Sequence, residues 1–175
     1  MTTLYDLSVG TYGRVLTSTI AVMEKGAKYF DEQGLDLNDV VQMRLAPDMA
    51  AFPFQVNSVR HHSLGAAHGM MAGKFGPPPE IPELDYRGLM GLLSEALTEL
   101  GTIKAGDIAA VQGKAMHFRA GSFELPFTTD NFALSFSLPN LYFHATTIYD
   151  MLRIKGVPLG KLDFLGKMLV GLPKA

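Results

Sequence analysis

A long stripe of apolar residues near the N-terminus predicts a first helix whose length constrains the fold. From about Leu4 to Gln33, apolar side chains recur at intervals of three and four residues, which is the period of one face of an amphipathic α-helix. They are Val9, Tyr12, Leu16, Ile20, Met23, Ala27 and Phe30. Gly34 follows as a C-terminal stop. A helix of about 30 residues is ~45 Å long, and such lengths are typical of helix bundles.

A second long helix is predicted from about Met49 to Ala72. Asp48 can cap it. Pro53 is acceptable there because the amide of a first-turn residue has no helical partner to lose. A short helix over residues 37–46 precedes it and must end before Pro47, since proline disfavours helical angles in the residue before it.

Two further helices and a hairpin follow. Asp85 can cap a third helix, which Gly101 ends, and the fourth runs from Asp130 to about Lys155. Pro139 lies well inside the fourth helix and predicts a kink, with Ser135 and Ser137 beside the freed carbonyls. Between Ile108 and Thr129 the apolar period changes to two, which predicts a β-hairpin. We expect a mainly all-α single domain over residues 1–175. Its architecture is an antiparallel four-helix bundle with a small β-hairpin insertion before the last long helix.

Composition excludes several classes of function. The chain has no cysteine, which rules out disulfides, thiolate metal sites and a cysteine nucleophile. The formal net charge is −2 and the basic residues are scattered, so no surface for nucleic acid or anionic lipid is predicted. No run approaches the ~20 apolar residues that span a bilayer, and no secretory signal is visible. We expect a soluble, cytoplasmic protein.

Three motifs in order carry a resemblance to a known family. They are RLAPDM at 44–49, LPNLYFHATT at 138–147 and GVPLGKLDFLG at 156–166. With them, the chain resembles the DUF1993 family of uncharacterised bacterial proteins, which is similar to the DinB/YfiT-like superfamily of four-helix bundles. The resemblance covers essentially the whole chain.

The resemblance implies a metal site as one alternative. Many DinB-like proteins bind nickel or zinc through one histidine of the second helix and an HxxxH pair of the fourth. Some relatives transfer thiols such as bacillithiol or mycothiol, and others are hydrolases. By this resemblance, His61 and His144 are the candidate metal ligands. The chain departs from the pattern, however, because Ile148 and Asn140 stand four residues after and before His144.

Seven residues are candidates for a ligand pocket, and each has a structural alternative. They are Arg44, Asp48, His61, Asn140, Tyr142, His144 and Tyr149. Arg44 and Asp48 can instead clamp a loop, Asn140 can cap backbone, and the tyrosines can pack in the core with wet hydroxyls. A bonded, partly buried imidazole is the favoured interpretation of His144. His62 and His68 are expected at the surface, and His117 is expected outside the site.

Two functions from different classes follow. The first, which we favour, is a non-enzymatic bundle protein that binds a small apolar or amphipathic ligand, has a degenerate metal site and forms a homodimer. Its apolar C-terminal tail either packs on its own bundle or crosses to a partner; the tail comprises Leu162, Phe164, Leu165, Met168, Leu169, Val170 and Leu172. The second is a metal-dependent transferase or hydrolase that uses His61 and His144.

Overall fold

The N-terminal stripe forms two helices instead of the single helix that was predicted. In the computed structural model, which describes residues 2–171, α1 (Leu4–Leu7) and α2 (Val9–Gln33) meet at Ser8. The backbone of Ser8 leaves helical angles, and its hydroxyl donates to the Leu4 carbonyl at 2.6 Å. Gly34 ends α2 with a positive φ of 65°, a conformation in which glycine carries no Cβ penalty.

A π-helical turn interrupts the second long helical segment. After the short α3 (Asn38–Val41), the segment consists of α4 (Phe52–Arg60), a first π-turn (His61–Gly65) and α5 (Ala66–Ala72). Pro53 lies in its first turn, as predicted. The predicted cap was wrong, because the N-cap is Ala51 and not Asp48. The chain turns at residues 46–49, so the helix begins several residues later than the sequence indicates.

The fourth long segment contains a π-turn as well. It consists of α8 (Thr129–Phe132), a second π-turn (Ala133–Ser137) and α9 (Leu138–Ile154). Pro139 therefore lies in the first turn of α9, directly after a shift in hydrogen-bond register. The prediction that Ser137 satisfies a carbonyl freed by the proline was wrong. Its hydroxyl donates instead to the His62 carbonyl on the other segment, at 2.8 Å.

A three-stranded sheet covers one side of the helices. The predicted hairpin is present as β2 (Ala115–Ala120) and β3 (Phe123–Thr128), which pair antiparallel. The sequence did not indicate β1 (Lys74–Phe75), which directly follows α5 and pairs parallel with β2. The sheet thus turns Phe75 towards the first π-turn, and Lys74 stays exposed.

The protein is mostly helical with this small sheet. Asp85 caps α6 (Tyr86–Leu100) as predicted, and the short α7 (Ala105–Ala109) precedes the hairpin. The segment α2 packs on α6 and α9, and α4 packs on the same two helices. Large apolar side chains between them form the core, among them Tyr12, Phe30, Phe52, Tyr86 and Phe132. Within residues 2–171, no helix is long and apolar enough to cross a membrane.

The C-terminal segment packs only partly on its own helices. The last helix, α10 (Lys161–Leu165), lies against α2, where Asp163 contacts Lys25. Phe164 packs edge-on against Tyr149 at 6.0 Å between ring centroids. The remaining apolar side chains of the tail are exposed, namely Leu162, Leu165, Met168, Leu169 and Val170. Leu172, the last residue of the predicted tail, lies outside the described residues.

Candidate functional site

Three histidine rings lie close together, two on the first π-turn and one on α9. The ring centroid of His62 lies 5.4 Å from that of His61 and 5.9 Å from that of His144. The exposed fractions are only 9% for His61, 7% for His62 and 9% for His144. The prediction that His62 lies at the surface was wrong, because the ring of Phe75 on β1 covers it at 5.6 Å. We call these three residues the histidine cluster.

The two π-turns are joined at this cluster. The Ser137 hydroxyl of the second π-turn binds the backbone carbonyl of His62 in the first. Beside them lies Tyr12 of α2, whose buried hydroxyl is near the Ser137 side chain and makes only a weak, long contact with it. Single π-turns inside α-helices occur frequently at functional sites. Two of them facing each other therefore mark this level of the helices as the candidate site.

A chain of two hydrogen bonds orients His144. Its Nδ1 lies 2.8 Å from Gln55 Oε1, and Gln55 Nε2 donates to the Ala50 carbonyl at 2.9 Å. With the amide oriented by Ala50, Gln55 presents its oxygen, so Nδ1 of His144 carries the proton and Nε2 keeps its lone pair. Burial lowers the pKa of His144 to about 4. The imidazole is therefore neutral at neutral pH, and the half-exposed rings of Phe54 and Phe143 flank it.

His61 is held by a different contact. Its Nε2 lies 2.7 Å from the Gly76 carbonyl, which only accepts, so Nε2 carries the proton. The ring stacks on Phe75 with centroids 4.2 Å apart. Burial lowers the pKa of His61, the bond to Gly76 opposes this shift, and the charge of Arg60 adds to it.

His62 is the least satisfied member of the histidine cluster. Its Nδ1 is buried and has no hydrogen-bond partner within residues 2–171. Burial, followed by the proximity of His61 and His144, lowers the pKa of His62 to about 3. A buried polar atom without a partner is rare in folded proteins and calls for an explanation.

The histidine cluster does not fit the metal site that the family resemblance implies. Among the described residues, no three His, Asp or Glu side chains are grouped as metal ligands. The Nε2 atom of His61 donates to a backbone carbonyl and cannot bind an ion in that state. His144 likewise uses its Nδ1 in the contact with Gln55, so neither imidazole of the predicted pair has both nitrogens available.

The other predicted pocket residues lie around the cluster or away from it. Arg44 Nη1 donates to the Met49 carbonyl at 2.6 Å and braces the loop that contains Asp48. That loop also supplies the Ala50 carbonyl that orients Gln55. Asn140 donates to the Phe136 carbonyl at 2.7 Å, within the second π-turn.

The two tyrosines lie towards the C-terminal segment instead. Tyr149 packs on Phe164, and Tyr142 is half-exposed at a separate pocket of about 310 Å³ between α2 and the tail.

A second pocket adjoins the histidine cluster on the side of the sheet. It measures about 440 Å³ and is lined by His61, Gly65, His68, Gly69, Ala72, Lys74, Phe75, Gly76 and Arg119. Apart from His61, none of these residues was a predicted site residue. The sequence carries no local signal for them, since β1 and the hairpin converge on α5 only in the folded chain. Gln55 and His62 were also missed from the sequence, because they meet His144 and Phe75 only in the folded chain.

Comparisons with known proteins agree with the family resemblance. The family model described as "Domain of unknown function (DUF1993)" matches residues 4–165. A crystal structure of a DinB family member protein from Shewanella denitrificans is similar, with a TM-score of 0.78 and 27% sequence identity. The alignment covers 97% of this chain and 96% of that one. No curated protein is significantly similar in sequence.

Proposed function

This chain belongs to the DUF1993 family, and we propose that it is a non-enzymatic, DinB-like protein that binds a small ligand at the histidine cluster. In this proposal, the four long helical segments form one antiparallel four-helix bundle over residues 1–175. The predicted metal site is degenerate, and the imidazoles serve as hydrogen-bonding groups.

One observation carries the proposal, namely the unpartnered Nδ1 of His62. A buried polar atom without a partner costs about 1–3 kcal/mol, and a ligand group that bonds to it would recover this cost. A neutral imidazole offers one donor and one acceptor. His144 adds a second acceptor, Nε2, whose lone pair the bond to Gln55 leaves available. The ligand we propose is therefore small and apolar with one polar end, and it enters beside the exposed rings of Phe54 and Phe143.

A fragment screen tests the proposal. Ligand-observed NMR with small aromatic amides and phenols is run on the wild type and on His62→Phe, which keeps a flat ring and removes both nitrogens. His117→Phe, in the hairpin, is the matched control. We expect fragments that bind the wild type and the control but not His62→Phe. Binding that is equal in all three proteins, or absent from the wild type, would reject this function.

We propose a homodimer through the exposed C-terminal tail. Leu162, Leu165 and Leu169 lie exposed on the same segment, and apolar patches of this kind mark interaction surfaces. Light scattering at high concentration should give twice the chain mass. Leu169→Ser should lower that mass, whereas Leu35→Ser, at an exposed leucine beyond α2, should not. A monodisperse wild-type monomer would remove the dimer from the proposal.

A metal-dependent transferase or hydrolase is the second candidate. The observation that favours it is the convergence of neutral histidines from two helical segments, since neutral imidazole is the form that binds metal. Elemental analysis of protein purified without a histidine tag separates the two candidates. Stoichiometric nickel, zinc or manganese that disappears in His144→Ala would support this candidate over the first, whereas no metal and no thermal shift with added ions would reject it.

A further inference from the structure

The pocket beside the sheet has an apolar wall and a basic rim. We call it the basic pocket and define it by His61, Phe75, Lys74 and Arg119. The wall is the stacked pair of His61 and Phe75, whose planes are 18° apart. Its volume of about 440 Å³ lies within the ~300–1,000 Å³ range of small-molecule sites.

Two glycines of the helix hold this wall in place. A Cβ at Gly65 would lie 3.0 Å from His61 Nδ1, and a Cβ at Gly69 would lie 2.8 Å from Phe75 Cδ2. Because both positions lack side chains, the stacked rings pack directly against the helix backbone. The bond from His61 to the Gly76 carbonyl fixes the ring from the other side. The wall is thus formed before any ligand binds, which lowers the entropic cost of binding.

The charges at the rim are unequally compensated. Arg119 on β2 pairs with Glu124 at 3.1 Å, and the same carboxylate contacts His117. Lys74 on β1 has no carboxylate within 4.0 Å among residues 2–171. Arg119 keeps further donors, because a guanidinium carries five N–H groups. The rim therefore presents a free ammonium beside a partly used guanidinium, and an anion is the complementary ligand group.

We infer that the basic pocket binds a small organic anion with a flat apolar body. The body lies on the stacked rings of His61 and Phe75, and its carboxylate or phosphate ion-pairs with Lys74 and Arg119. His61 lines the basic pocket but His62 and His144 do not, so this assignment is a second binding position that goes beyond the proposed function. The open side of the pocket leaves the anionic group at the rim, where desolvation of the ion pair is only partial.

Calorimetric titration with three matched probes tests the inference. The probes are 2-naphthoate, 2-naphthyl phosphate and the neutral 2-naphthamide. At least one anion should bind about tenfold more tightly than the amide, since charge-assisted hydrogen bonds are the stronger ones. The tighter of the two anions identifies the head group as carboxylate or phosphate. Added salt should weaken its binding.

Variants locate the binding and separate the two proposals. Lys74→Gln should weaken the anion about tenfold, whereas Lys161→Gln, at an exposed lysine on α10, should not. Both lysines are exposed, so both variants should melt like the wild type. Equal binding of amide and anions, no binding of any probe, or anion binding that survives Lys74→Gln would overturn the inference. If His62-dependent fragments are still found in that case, the proposed function stands and only the basic pocket fails.

Discussion

Acidification should destabilise this protein well above the pH at which its carboxylates titrate. The cause is the histidine cluster, whose members are buried in the neutral form. Burial lowers the pKa of His62 from 6.5 to about 3 and that of His144 to about 4. An unfolded chain takes up these protons near pH 6.5, and the folded chain does not. The stability that the neutral rings contribute is therefore complete above ~6.5 and is lost as the pH falls towards the folded pKa values.

The size of the loss follows from the pKa difference. Between ~6.5 and 5.0 the pH falls by about 1.5 units, and each unit corresponds to 1.36 kcal/mol per group. His62 should therefore cost about 2 kcal/mol of stability at about pH 5. His144 is bordered by half-exposed rings, so we assign it about 1 kcal/mol after solvent screening. These two residues give a total of about 3 kcal/mol, to which His61 adds because its pKa is also lowered. This is a large share of the 5–15 kcal/mol that typical domains have.

Urea denaturation followed by circular dichroism measures this loss. Free energies of unfolding are compared at about pH 7.5 and about pH 5, a window in which the unfolded carboxylates remain mostly ionised. In His62→Phe the drop should shrink by about 2 kcal/mol, because the titrating group with the lowest pKa has been removed. The matched control is His68→Gln, at a half-exposed histidine about two turns beyond His61, and it should keep the wild-type drop. A drop that is the same in His62→Phe and the wild type, or absent from both, would refute this reasoning.

Three further substitutions test the packing. Tyr12→Phe should change the free energy of unfolding by less than about 1 kcal/mol, since the buried hydroxyl that it removes makes only a long contact with Ser137. A larger loss of stability would show that this hydroxyl is fully bonded. Gly69→Ala should lower the free energy of unfolding by about 1–3 kcal/mol in urea titration, because the added Cβ would lie 2.8 Å from the Phe75 ring. An unchanged free energy of unfolding would mean that this ring can move away. Asp163→Ala removes the acceptors of two exposed contacts, one from Lys25 and one from the Gly160 amide. Amide exchange over residues 160–166 should become faster while global stability barely changes, and unchanged exchange would contradict this.

Periodicity in the sequence predicted most of the helical positions. The apolar stripe of the first helix, Gly34 at its end and Asp85 at the start of α6 are local signals, and the structure contains each of them. The period of two around Ala120-Gly121 predicted the hairpin. These signals suffice because helix periods and turn glycines act within a few residues of the chain.

The π-turns and β1 were not predicted, for a physical reason. A π-turn has no compositional signature, and it persists where packing across the fold compensates its poorer geometry. Here the bond from Ser137 to the His62 carbonyl joins the two turns across 75 residues of sequence. A strand of two residues, Lys74–Phe75, exists only because β2 pairs with it.

The candidate site also combines residues that the sequence indicated with residues that only the folded chain brings together. The sequence singled out His61 and His144, and the structure places both in the histidine cluster. It could not single out His62, whose burial depends on Phe75 from β1, or Gln55, whose amide orients His144.

The sequence by itself determined the family and the long amphipathic helices, and it indicated the segment around His144 as part of a candidate site. These features depend on local patterns and on motifs. The tertiary structure alone decided that two π-turns face each other, that three neutral histidines share one buried cluster, and that a basic pocket opens beside them. Each of these features joins side chains that are far apart in the chain, and long-range packing sets such distances.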